Sequence, residues 1–138
     1  MAILSTIVRA LKEDSDVSAL VSGRVFADFI PEKSTLPAVV VYTTYEDAED
    51  CLDGFDDFAE ASVRIECYGK TRESSDATHD AVRSALNGYR GKLSGDSIWV
   101  KGVRQGTGRI HLVDMPQDAT DHWQFRTAQT FEFNYYLT

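Results

Sequence analysis

Residues Trp123 to Leu137 read WQFRTAQTFEFNYYL. Trp123, Phe125, Thr127, Phe131, Phe133, Tyr135 and Leu137 fall on one side of a two-residue repeat, and Gln129 is the misfit among them. Gln124, Arg126, Thr130, Glu132 and Asn134 fall on the other side. Period two marks a strand with one face buried and one face wet. At about 3.3 Å per residue such a strand would run ~50 Å, whereas a compact chain of this length is roughly 37 Å across. This stretch is therefore expected to bend at a bulge or to project as an arm, offering its edge to another copy of the chain.

Two further strands supply neighbours. In residues 58–68, Ala59, Ala61, Val63, Ile65 and Cys67 alternate with Ser62, Arg64, Glu66 and Tyr68. Residues 38–45, AVVVYTTY, are rich in β-branched and aromatic types and follow Leu36-Pro37, which favours an extended backbone. Between these two strands lies EDAEDCLDGFDD, residues 46–57, which reads as a long acidic loop at the tip of a hairpin, with Gly54 as a turn residue. Residues 97–104 and 109–114 read as shorter strands around a hairpin turn, Gln105-Gly106-Thr107-Gly108, and Met115 to Asp121 as a polar loop.

Helices are predicted at three places. Ile3, Ile7, Val8 and Leu11 give residues 3–12 an apolar face. Asp16 is placed to cap a short turn holding Val17, Leu20 and Val21, which Gly23 ends, with 24–30 extended after it. Residues 73–87 carry the stripe Ala77, Ala81, Val82, Ala85 and Leu86, closed by Asn87-Gly88.

Composition sets the outer bounds. The 138 residues fit one domain spanning 1–138, and 43% hydrophobic with 26% charged residues is the balance of a folded, soluble chain. Two Trp, six Tyr and seven Phe provide core bulk, so disorder is excluded as the main state. No apolar run reaches membrane-span length, and MAILSTIVRALKED lacks the pattern of a secretory signal. Cys51 and Cys67 read as free thiols in a reducing compartment.

Charge is segregated along the chain. The net charge is −8, and the excess sits in the first half. Glu46, Asp47, Glu49, Asp50, Asp53, Asp56 and Asp57 crowd one stretch without a cation, while residues 83–109 carry Arg83, Arg90, Lys92, Lys101, Arg104 and Arg109 against Asp96 alone. A net acidic chain is a poor partner for phosphate backbones. The opposed segments are suited instead to meeting each other between copies. The candidate subunit or partner interface is therefore Glu46, Asp47, Glu49, Asp50, Asp53, Asp56, Asp57, Arg90, Lys92, Lys101, Arg104 and Arg109.

A search for chemistry returns no catalytic, cofactor or metal residues. Ser97 in Gly95-Asp96-Ser97-Ile98 leads into a strand, where a nucleophilic serine needs a strand-to-helix turn. Gly106-Thr107-Gly108 lacks the third glycine and following helix of a nucleotide loop. Counted as a calcium loop from Glu49, the acidic stretch puts Cys51 where an oxygen ligand is required. His79, His111 and His122 have no ligand-spaced partners, and His79 beside Asp80 reads as solvated.

The order of the pieces resembles one family. Gly23-Arg24-Val25-Phe26, Pro31 and Leu36 to Val41 follow an amphipathic helix. The strand ending in CYGKT (Cys67 to Thr71) runs into a helix ending AVRSALNGYRG (Ala81 to Gly91), and the last strand alternates. Together these resemble the tail-completion or tail-terminator proteins of long-tailed bacteriophages, although the acidic stretch 46–57 is richer in carboxylates than that family leads one to expect. With the elements above, the resemblance implies an α+β fold: a twisted, mainly antiparallel sheet of four to five strands with two to three helices packed on one face. It implies a non-enzymatic virion protein, assembled in the host bacterial cytoplasm. Copies would form a ring, typically of six, on the head-proximal end of the tail tube. The implied partners are the chain itself, the tail-tube protein and the head-connector or head-completion protein, with DNA only as passing cargo. No cofactor and no membrane are implied. Another head–tail neck component, a small Ser97 hydrolase and an acidic DNA-mimicking module are the alternatives. The balance of cations in 83–109 argues against the last.

Overall fold

The computed structural model describes residues 2–31, 34–51, 54–93, 98–114 and 123–137. Among these residues three helices and seven strands follow one another as α1 (Ala2–Glu13), α2 (Ser15–Val21), β1 (Val25–Ala27), β2 (Ala38–Cys51), β3 (Gly54–Gly69), α3 (Arg72–Leu86), β4 (Gly91–Lys92), β5 (Ile98–Gln105), β6 (Ile110–Asp114) and β7 (Gln124–Leu137). The strands form one sheet in the order β1-β2-β3-β7-β5-β4, with β6 also on β7. Every pairing is antiparallel except β1 with β2. The α+β class and helix count are as expected. The strand count exceeds four to five, because the extended segment 24–30 supplies a short strand, β1, that pairs with β2, and β4 is only two residues long.

The centre is β3 against β7. Val63 faces Phe131, Ala61 faces Phe133 and Ala59 faces Tyr135, all on the side the helices cover. Phe131 and Phe133 are fully buried there with Ile3, Ile7 and Leu11 of α1, Val17 and Val21 of α2, and Val82 and Leu86 of α3. The strand expected to project is flanked on both sides instead. β3 lies along one edge of β7, and β5 and β6 share the other.

That arrangement corrects the hairpin reading of Gln105 to Gly108. β5 and β6 do not pair with each other; they continue in one line along β7, and residues 106–109 are a detour between them. Gly106 N donates to Thr130 O (2.8 Å), and the Thr107 hydroxyl accepts from Thr130 N (3.3 Å). The misfit Gln129 is explained by the same detour, since its Nε2 donates to Thr107 O at 2.8 Å.

Local signals shift two other expectations. The cap of α2 is Asp14, not Asp16: its carboxylate accepts from the backbone N of Asp16 and of Val17, both at 3.0 Å. The buried face of α3 is Ser75, Thr78, His79, Val82 and Leu86, whereas Ala77 is exposed. Hydroxyls can be buried there because each donates within its own helix, Ser75 to Arg72 O and Thr78 to Ser74 O. The entry turn into α3 requires Gly69, where a Cβ would lie 2.7 Å from Ser75 N.

Candidate assembly interface

Strand forms through most of the acidic stretch expected to be a loop. β2 continues to Cys51 and β3 begins at Gly54, with Asp50 opposite Phe55 and Cys51 opposite Gly54. Backbone pairing between β2 and β3 carries this ribbon. Glu46, Asp47, Glu49 and Asp50 lie on β2, and Asp56 and Asp57 on β3. Asp53 lies outside the described residues, as do Ser97, His122 and the loop 115–121.

A bulge redirects the side chains at its start. Thr43 opposes Val63 and Glu46 opposes Ala61, so the alternation slips between Thr43 and Tyr45. Glu46 thereby turns to the helix face, where Tyr135 donates its hydroxyl to Glu46 Oε1 at 3.1 Å. Burial, then the Glu46 carboxylate, pushes the Tyr135 phenol well above its ordinary range. Asp47 turns to the open face, directly opposite Glu60, and both are exposed.

The topology carries this ribbon to one margin of the sheet. β1 covers only Val39 to Val41 of β2. Beyond them β2 has no outer neighbour among the described residues, and Thr44, Tyr45, Glu46 and Asp47 are exposed. The opposite margin is the segment around β4. There Gly88 N donates to Val103 O, Gly91 pairs with Val100 and Lys92 pairs with Trp99. Arg90, Lys92, Lys101 and Arg104 are exposed on this side.

Not all the expected cations belong to that margin. Arg109 turns under the sheet to bond Asp80 of α3 at 2.9 Å, and Arg104 bonds Glu132 on the open face at 2.7 Å. The segment 83–109 therefore does not make a single basic patch. Arg90 and Lys92 are its outermost members.

Between the margins the open face is braced by a buried carboxylate that the alternation had placed in water. Glu66 is 6% exposed and receives Tyr42 and Arg64 on Oε2, and Tyr68 and Arg126 on Oε1, at 3.2–3.4 Å. Arg126 also bonds Asp114 at 3.0 Å and stacks over the Tyr68 ring. Sequence gave no sign of this convergence, because β2, β3, β6 and β7 must be adjacent before it exists.

Other exposed side chains were also invisible to the sequence. Phe29 is 71% exposed just past β1, and Ile110 and Val113 of β6 are 40% and 48% exposed on the opposite margin. His79 is the reverse case. It is fully buried against Phe131, which lies 6.4 Å away, so solvent does not reach it as expected. Burial, then the Arg109 charge, pulls its pKa below the ordinary imidazole value.

A family model described as "Tail completion protein gp17" matches residues 5–127. A chain from a solved structure titled "Virion of native gene transfer agent (GTA) particle" superposes with a TM-score of 0.63, over 97% of this chain and 94% of that one. At 19% identity that likeness is one of fold. No curated protein matches.

Proposed function

We propose, from the premise that this chain belongs to the Tail completion protein gp17 family of phage virion structural proteins, that it is the ring that closes the tail tube. Copies of the chain, six in the expected ring, sit on the head-proximal end of the tube and stop its polymerisation. The other side of the ring receives the head connector or head-completion protein, and DNA crosses the lumen as cargo. The chain is thus a virion component of the head–tail junction, assembled in the bacterial cytoplasm, and it works by contact and not by catalysis.

One observation carries the ring: the two margins of the sheet are unlike. A head-to-tail contact joins one surface to a different one, and it closes into a ring when the rotation between copies divides a full turn. An acidic margin and a basic margin on opposite sides of one sheet supply such a pair. Identical margins would favour a two-fold dimer.

The reading is tested in a phage that carries this gene. Removing it should give tails of uncontrolled length that fail to join heads, and supplying the chain in trans should restore both. Tails of normal length in its absence would remove the role.

A further inference from the structure

We infer that the seam between neighbouring copies is Asp47-Ala48-Glu49 of one copy lying beside Arg90-Gly91-Lys92 of the next, in parallel and at the same height on the sheet. The inference deepens the ring reading above and rests on it. Its basis is the register of the strands, followed rung by rung from one margin to the other.

Ala48 opposes Ala59, Ala59 opposes Tyr135, Tyr135 opposes Val100 and Val100 opposes Gly91. One rung thus begins at Ala48 and ends at Gly91. The next rung up runs from Phe58 through Tyr136 and Trp99 to Lys92. The alternating directions make β4 parallel to β2. Asp47, one residue before Ala48, is therefore level with Arg90, one residue before Gly91. Glu49 and Lys92 both follow that rung, Glu49 where the pairing of β2 with β3 shifts register before Asp50. The acidic segment of one copy meets the basic segment of the next when the two are related by rotation alone.

The centre of the seam is small on both sides. Gly91 has φ +113°, a conformation that favours glycine, and its missing side chain lets another backbone come close. The outer side of β2 at this height has no strand on it among the described residues. Strand edges of this kind are completed by strands from other chains.

Lower on the sheet the margins match in a different way. Phe26 of β1 shares a rung with Val40, Glu66, Ala128 and Ile110. Phe29 lies just beyond β1, and Ile110 and Val113 are exposed on β6. Phe26 and Ile110 therefore put an apolar residue on each margin at one height, below the level where opposite charges occur, with Phe29 above that rung and Val113 below it. A second copy of the chain fits both levels at once.

Charge reversal with rescue tests the seam, read as the fraction of chain in rings by mass photometry and negative-stain imaging on tail tubes. The variant D47K/E49K and the variant R90E/K92E should each lower that fraction by about tenfold or more, because like charges then meet. The four changes together should restore rings. Circular dichroism melts of each variant should show no loss of stability against the unmodified chain, since these positions lie at the sheet margins, and a lysine at 47 faces Glu60 favourably. Rings that form equally in either reversal, or that are lost in both and not regained in the fourfold variant, overturn the seam while leaving the ring intact. A failure of the unmodified chain to form rings removes the ring reading and the seam with it.

Discussion

The two halves of β3 use one backbone for opposite ends. From Ala59 to Cys67 the strand has neighbours on both sides and alternate residues packed under helices. From Gly54 to Asp57 only β2 accompanies it among the described residues, since the pairing with β7 starts at Phe58. Buried apolar area holds the first half, and ladder pairing with β2 runs through the second. A strand can therefore form where composition announces a loop, provided that its backbone groups find a neighbour. The cost is visible at Asp47 and Glu60, two carboxylates held directly opposite each other. A chain that tolerates this repulsion when alone gains most when a cationic surface arrives.

Breaking the packed half should have the largest effect. Phe131→Ala removes a fully buried ring at the middle of β7 and is expected to destabilise the chain by about 3–5 kcal/mol in urea unfolding. A loss under about 1 kcal/mol would mean that β7 is not the centre of the core.

The next test cuts the tie between the halves. Tyr135→Phe deletes the hydroxyl that reaches across to Glu46, and should cost about 1 kcal/mol of stability. The amide protons of β2 after the bulge should exchange faster while those of β3 near Val63 are unchanged. Equal acceleration in both places would show that the tie is not local.

A pH series isolates the core from the margin. His79 is buried with its pKa below 6.5, so its folded form resists protonation more than its unfolded form does. The groups facing it include Asp80 and Arg83 on α3, Arg109 from the detour, and Gln129 and Phe131 on β7. Its contribution is complete above about pH 6.5 and is lost as pH falls from there toward the lowered value. The melting temperature of the unmodified chain should fall through that window, and His79→Gln should flatten the fall. An unchanged slope in the variant would place the titrating group elsewhere.

The smallest effect has a sign that separates the two halves. Asp47→Asn relieves the repulsion with Glu60 and should stabilise the isolated chain by less than about 1 kcal/mol. The same change should weaken assembly into rings. A variant that loses stability and assembly together would place Asp47 within the fold and not at its margin.

What could be read from sequence follows the same division. The alternation of 58–68 and 123–137 and the apolar face of α1 were legible because burial imposes a period on the residues. The family resemblance was legible in the order of those pieces. The acidic ribbon was not, since pairing of its backbone with a neighbouring strand imposes no apolar period on the sequence. The bulge after Thr43 was hidden because Tyr45-Glu46-Asp47 can alternate in either phase, and only the pairing with Ser62, Ala61 and Glu60 chooses one. The face of α3 was read in part: Val82 and Leu86 are buried and Ala81 and Ala85 pack beside them, but Ala77 is exposed. Ser75, Thr78 and His79 were missed because polar residues did not look like core, although both hydroxyls find acceptors within the helix. The opposite charge of the two segments is plain in sequence. Yet Arg109 and Arg104 are held within the chain, and only the sheet order places Arg90 and Lys92 across from the acids.

Tail-tube protein polymerised with and without this chain, and imaged by electron microscopy, gives the most direct test. The account expects tubes that stop growing once the chain is added, each carrying at one end a closed ring of copies of the 15.4 kDa subunit. Tubes that lengthen without limit and carry no ring, beside a chain that stays monomeric at every concentration, would contradict it.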